Sequence, residues 1–131
     1  MSQRLKKSEV LRGRRSFSEV FTGGHRFEGH VLRCIVLSDL ATAEKRISFG
    51  IVVSRDVKGA VVRNRIKRLV RESFRKNKKT YYSELLTFPN SLRLVFMLRQ
   101  RSSAKMSTLL CKDIEDDMNR LFKIIIERWF S

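Results

Sequence analysis

Acidic side chains are scarce: 13 Asp and Glu stand against 29 Lys and Arg, a formal net charge of +16. The imbalance argues against a cationic partner and for a polyanion. Cysteine is rarer still, and Cys34 and Cys111 lie in apolar surroundings without a second thiol or a histidine at ligand spacing. That excludes a disulfide framework and a zinc site, leaving reduced, buried thiols in a cytoplasmic protein as the expectation. No apolar run reaches the roughly 18 residues of a membrane span, and Met1 to Lys7 carries charge with no apolar segment behind it, which speaks against secretion and membrane insertion. There is no phosphate-binding glycine loop, no His-Glu-x-x-His and no nucleophile with a plausible base, so no catalytic residue and no metal is assigned to the chain. His25 and His30 read as polar loop residues, with His25 alternatively a contact to the polyanion.

The charge that is present is unevenly placed. From Arg55 to Lys79 eleven basic residues meet only Asp56 and Glu72, whereas from Ser107 onward four basic residues meet five acidic ones. The polyanion therefore belongs to the middle of the chain. Asp113, Glu115, Asp116 and Asp117, which a helix would turn to different sides, read as a solvated face rather than a metal site. At this length one domain with one core is expected, residues 1–131, with 1–15 a partly mobile basic arm.

Ser16-Phe17-Ser18-Glu19 has the form of a capping box opening a short helix, which ends at Gly23-Gly24, where the chain can turn through positive φ. Val31 to Leu37 and Ile47 to Val53 are rich in β-branched residues and predict two antiparallel strands joined by a short polar loop. Alternation puts Leu32, Cys34 and Val36 on one face and Arg33 and Ile35 on the other. Ala60 to Lys76 repeats Val62, Ile66, Leu69, Val70, Ser73 and Phe74 at helical spacing. Asn77 to Ser91 is polar and contains the only proline, Pro89; Leu92 to Leu98 reads as a further strand, and Ser107 to Phe130 as an amphipathic helix carrying Leu110, Ile114, Met118, Leu121, Phe122, Ile125 and Trp129. The order points to an α+β fold, a small α/β sandwich of helices on one sheet.

On a helix turning about 100° per residue, with Arg63 at zero, Lys67 falls at about 40°, Arg71 at about 80°, Asn64 at about 100°, Arg75 at about 120° and Arg68 at about 140°; Arg65, at about 200°, leaves from the other flank. A solvated helix face usually mixes signs to gain i,i+4 pairs, but here only Glu72 relieves the repulsion. A phosphate backbone compensates such a face, and arginine supplies forked donors for it. No paired helix with a tight turn precedes it, so RNA fits better than DNA. Phe17 and Phe21 are either core residues or platforms for unpaired bases.

Gly50-Ile51-Val52-Val53-Ser54-Arg55, followed by Ala60-Val61-Val62-Arg63-Asn64-Arg65-Ile66-Lys67-Arg68-Leu69-Val70-Arg71-Glu72, resembles the signature of the bacterial ribonuclease P protein subunit. Phe17-Ser18-Glu19-Val20-Phe21 and Gly24-His25-Arg26 are similar to that family's first helix and the loop after it. The resemblance implies a roughly four-stranded sheet with three helices (ribosomal S5 domain 2-like) and a left-handed crossover around the central helix. It further implies that this helix contacts a catalytic RNA subunit, and that a cleft between the first helix, the sheet and the central helix holds the single-stranded 5′ leader of precursor tRNA. By position, Arg63, Asn64, Arg65, Lys67, Arg68 and Arg71 fall on the RNA-binding helix, and Phe17, Phe21, Arg33, Ile35, Arg46, Ser54 and Arg55 near the leader cleft. The chemistry, Mg²⁺-assisted phosphodiester hydrolysis, would belong to the RNA, the protein supplying binding and positioning; the partners would be the RNA subunit and precursor tRNA, with no DNA and no membrane. Asp56, Lys58 and Ile35 stand where the family usually has a basic residue, a glycine and a cleft tyrosine. The alternatives are a ribosomal or general RNA-chaperone protein without an enzymatic role, and a DNA-binding regulator.

Overall fold

The computed structural model describes residues 11, 13–39, 47–53, 59–87, 90–99 and 111–130. Their elements are α1 (Arg14–Gly23), β1 (His25–Glu28), β2 (Leu32–Asp39), β3 (Ile47–Val52), α2 (Ala60–Leu86), β4 (Ser91–Leu98) and α3 (Cys111–Phe130). The sheet runs β1-β2-β4-β3, with β2 antiparallel to β1 and β4 and with β3 parallel to β4. This is the expected α+β sandwich.

The two strands expected to form a hairpin, β2 and β3, do not pair; β4 lies between them. The reason is written in β4, which carries Leu92, Leu94 and Phe96 on one face and Val95 and Met97 on the other. Such a strand buries its apolar surface only with neighbours on both sides and layers on both faces. The β3-to-β4 connection is accordingly a crossover through α2, as a parallel pair requires.

One sheet face is sealed. Cys34, Val36, Leu94, Phe96, Ile47 and Phe49 pack under Ile66, Val70 and Phe74 of α2 and Ile114, Met118, Leu121, Phe122 and Ile125 of α3. Aromatic rings link the layers: Phe49 stacks on Phe74 at 4.0 Å, and Phe96 meets Phe122 edge-on at 6.0 Å. Cys34 lies in this core as a free cysteine, and burial pushes its thiol pKa up, as expected of an inert structural thiol; the side chain of Cys111 lies outside the described residues.

Helix α2 continues ten residues past Lys76, through a segment that reads as polar loop. Tyr81 and Leu85 prolong the buried stripe at seven and eleven residues beyond Phe74; Tyr81 stacks on Phe122 and its hydroxyl donates to Asn119 Oδ1. The capping box does not form. Gly13 occupies the N-cap, without a side-chain cap, and Ser16 lies inside the helix; Arg14 and Arg15, within the stretch read as an arm, are helical. Gly24 ends α1 at φ −81° rather than in a positive-φ turn. It is needed there for close approach, because a Cβ would sit 2.6 Å from Ile35 Cγ2.

Candidate nucleic-acid interface

Helix α2 divides by charge along its length. Ile66, Val70, Ser73 and Phe74 are buried, which turns the opposite arc to solvent: Asn64, Arg68 and Arg71 are exposed, and Arg63, Arg65 and Lys67 half-buried. Lys67, Arg68 and Arg71 enter no ion pair among the described residues. One turn later neutralisation begins. Arg75 Nη2 lies 2.8 Å from Glu72 Oε2, and Lys76 Nζ 2.7 Å from Glu115 Oε1; the hydrogen bond from Arg75 holds the Glu72 carboxyl below its ordinary pKa. Lys67, Arg68 and Arg71 thus form a cationic patch without ion-pair partners among the described residues, which a polyanion can neutralise with release of its own counterions. Val61, 82% exposed, falls on the same count at about 160°, inside this arc; sequence periodicity passes over it because an isolated apolar residue carries no pattern.

The sheet face away from α2 and α3 is arranged in rows by register: Leu37–Arg93–Ser48, then Ile35–Val95–Gly50, then Arg33–Met97–Val52. Helix α1 lies across the first two. Val20 is buried against Ile35 and Val95, with Phe17, Phe21 and Leu37 half-buried at the margin. Arg93 fixes the helix to the sheet. It donates to both Asp39 carboxylate oxygens at 2.7 and 2.9 Å and lies 3.5 Å from Glu19, and the hydrogen bonds to Asp39 raise its pKa. Gly50 is the floor under Phe17: a Cβ there would come within 2.7 Å of the ring. Leu11 lies beside it, its amide donating to Phe49 O at 2.6 Å.

Among the described residues no helix lies over the third row. Arg33, Met97 and Val52 are half-exposed, and β3 leads from Val52 toward Gly59, the N-cap of α2. Arg33, Met97 and Val52 form a half-exposed row, with Phe17 and Phe21 at the margin of the same sheet face. Of the residues matched to the leader cleft, Phe17, Phe21 and Arg33 lie on this face. Arg33 is held by Glu28 at 2.5 Å, and Glu28 also engages Arg99 at 3.2 Å. Ile35 is only 1% exposed, covered by Val20 and Gly24, so it supports α1 rather than lining an open surface. Arg46, Ser54 and Arg55 lie outside the described residues.

The acidic run of α3 is not one solvated face. Asp117 is 1% exposed; its carboxylate accepts from the backbone N–H groups of His30, Val31 and Leu32 at 2.8, 3.0 and 2.7 Å and from Arg120 at 2.9 Å. It caps the β1–β2 turn from across the fold. Its place at three residues from Ile114 and four from Leu121, inside the apolar stripe, was the signal for burial. Glu115 is engaged with Lys76, and among the described residues no three His, Cys, Asp or Glu side chains are grouped to hold a metal ion. No helix of the described residues is long and apolar enough to cross a membrane.

A family model described as Ribonuclease P matches residues 5–125. A ribonuclease P protein component of Syntrophus aciditrophicus is 33% identical over 111 residues, 84% of each chain; one of Pelotomaculum thermopropionicum is 32% identical over 119 residues, 91% of this chain and 94% of its own. The ribonuclease P protein of Thermotoga maritima superposes with a TM-score of 0.69 at 27% identity, covering 88% of this chain and 96% of that one. A ribosomal or general chaperone protein gains nothing from these likenesses. With the basic helix, the half-covered sheet face and the family's element order all in one chain, the protein belongs to the ribonuclease P protein family.

Proposed function

We propose that the first half of α2 binds the RNA subunit of ribonuclease P, and that the open row over Arg33, Met97 and Val52, flanked by Phe17 and Phe21, receives the 5′ leader of precursor tRNA. The observation that carries the reading is the absence of ion-pair partners for Lys67, Arg68 and Arg71 among the described residues, beside a half-exposed row of Arg33, Met97 and Val52 that no described helix covers. A duplex presents phosphates but keeps its bases stacked, so the basic helix suits a structured RNA; half-exposed rings suit unpaired bases, which a leader supplies. Mg²⁺ acts with the RNA subunit in this reading, and the protein's part in cytoplasmic 5′-end maturation of tRNA is to bind and orient substrate.

Reconstitution tests it. The protein, a transcribed bacterial ribonuclease P RNA and Mg²⁺ are mixed with precursor tRNA bearing either a full leader or a single leader nucleotide. Stimulation of cleavage by the protein is expected for the full leader and little for the truncated one. Equal stimulation of both would remove the leader from the reading; cleavage by protein freed of RNA would overturn the division of labour.

A further inference from the structure

Strand β1 is an outer edge of the sheet, three strand positions from β3, about 14 Å at the usual inter-strand spacing. The four-residue strand is easily missed in the sequence, since only Phe27 of His25–Glu28 is buried. At this edge His25, Arg26, Phe27 and Arg128 line an open groove of about 410 Å³.

The groove is cationic and partly built. The Arg128 guanidinium stands 5.7 Å from the centre of the Phe27 ring, close enough for a cation–π contact that limits its freedom before any ligand arrives. Arg128 lies eleven residues beyond Asp117, so the two project from α3 within about 20° of one another. One side of α3 therefore grips β1 twice, by Asp117 at the turn and by Arg128 over Phe27. Arg26 is exposed and enters no ion pair among the described residues. The nearest carboxylate on its own strand, Glu28, is shared between Arg33 and Arg99.

We propose that this groove is a second contact for the RNA subunit, in which Arg26 and Arg128 clamp a backbone phosphate. Two guanidinium groups at one opening match the forked hydrogen bonding that phosphate oxygens accept, and an open groove at a sheet edge lets an extended backbone pass through. His25 and Phe27 share the face of Val36 and Cys34, the face opposite α1, while Arg26, paired with Ile35, stands on the α1 side, so the two guanidinium groups approach the outer edge of β1 from opposite faces of the sheet. The row proposed for the leader lies inward, on β2, β4 and β3, and the groove at this edge takes a separate RNA segment. The inference rests on the reading of the chain as a binder of that RNA, and extends the footprint to both ends of the sheet.

The test measures affinity for transcribed ribonuclease P RNA across a salt series, with the full-length protein as wild type, Arg26→Glu, Arg26→Gln/Arg128→Gln, and a Lys67→Ala/Arg68→Ala/Arg71→Ala control. Arg26→Glu leaves the Phe27 contact intact, so it reads the groove without disturbing the fold. Each groove variant is expected to weaken binding about five- to tenfold at moderate salt and to flatten the dependence of log affinity on log salt by about one unit per phosphate no longer neutralised. Wild-type affinity and slope in both groove variants, with the α2 control weakened, would overturn the groove alone. Wild-type behaviour of the α2 control would instead strike at the reading of α2, while weakening by the groove variants would still place RNA at β1.

Discussion

The two faces of the sheet are built from the same four strands and have opposite fates. On one, α2 and α3 cover the central rows, and Phe49, Phe74, Phe96 and Phe122 close into a continuous ring cluster. On the other, one ten-residue helix covers two rows of three, leaving Phe17, Phe21, Val52 and Met97 half-buried. A sealed face gains stability from every methylene it hides; an open face forgoes some of that gain and keeps apolar surface available to a partner. The difference separates residues that hold the fold from residues that serve it, and it makes opposite demands of similar side chains.

The largest effect belongs to the sealed face. Phe96→Ala, at a fully buried ring touching three others, should cost about 3–5 kcal/mol in urea unfolding without RNA. Asp117→Ala follows, at about 3 kcal/mol, because it strands three backbone N–H groups at the β1–β2 turn in a buried setting. Amide exchange should locate the damage: fast exchange at His30, Val31 and Leu32 while the α2 core stays protected. Uniform loss of protection would mean that Asp117 holds the whole fold and not the turn.

Phe17→Ala sharpens the comparison from the other side. Its ring is half-exposed over Gly50, so truncation should cost about 1–2 kcal/mol, with weaker binding of leader-bearing precursor tRNA in the holoenzyme. A loss as large as that of Phe96→Ala would make the open face a second core. Phe21 is likewise half-buried and should behave alike, so the pair is a mixed case rather than a choice between core and cleft.

Periodicity made the sealed face legible. Val62, Ile66, Val70 and Phe74, like Ile114, Met118, Leu121 and Ile125, repeat at helical steps, and β2 alternates as written. Pairing was not legible, because β2 and β3 are close in sequence and a hairpin has the shortest closure; only the two-sided apolar pattern of β4 argues for inserting it between them. The basic arc of α2 was readable residue by residue, since spacing on a helix fixes direction. Arg93 and the β1 groove were not, since each depends on partners more than 50 residues away, such as Asp39 for Arg93; the spacing of Asp117 within the apolar stripe signalled its burial, but not its partners at the β1–β2 turn. Charge count treats a buried, fully bonded carboxylate and a solvated one as the same.

A smaller effect is expected on α2, in binding rather than stability. Lys67→Ala/Arg68→Ala/Arg71→Ala should leave the unfolding midpoint near that of wild type, because these side chains enter no ion pair among the described residues. The slope of log affinity against log salt should fall by about one unit for each phosphate that the variant leaves unneutralised. An unchanged slope would move the RNA surface elsewhere.

The smallest effect lies where the basic field meets its first counter-charge. The hydrogen bond from Arg75 lowers the Glu72 pKa in the folded chain, so folding favours the ionised carboxylate. That contribution is fully present above the ordinary glutamate pKa and is lost as pH falls through the lower folded value. Wild type should therefore hold a slight advantage in melting temperature over Glu72→Gln at about pH 7, and the advantage should vanish as acid takes the pH below the lowered folded value and neutralises the carboxylate. Glu72 and Arg75 are an i,i+3 pair with both side chains partly exposed, so salt should shrink the neutral-pH difference as well. If the difference instead persists at low pH, the stabilisation comes from packing of the Glu72 stem, and the boundary between neutralised and free charge on α2 is set by Lys76 and Glu115 rather than by Glu72.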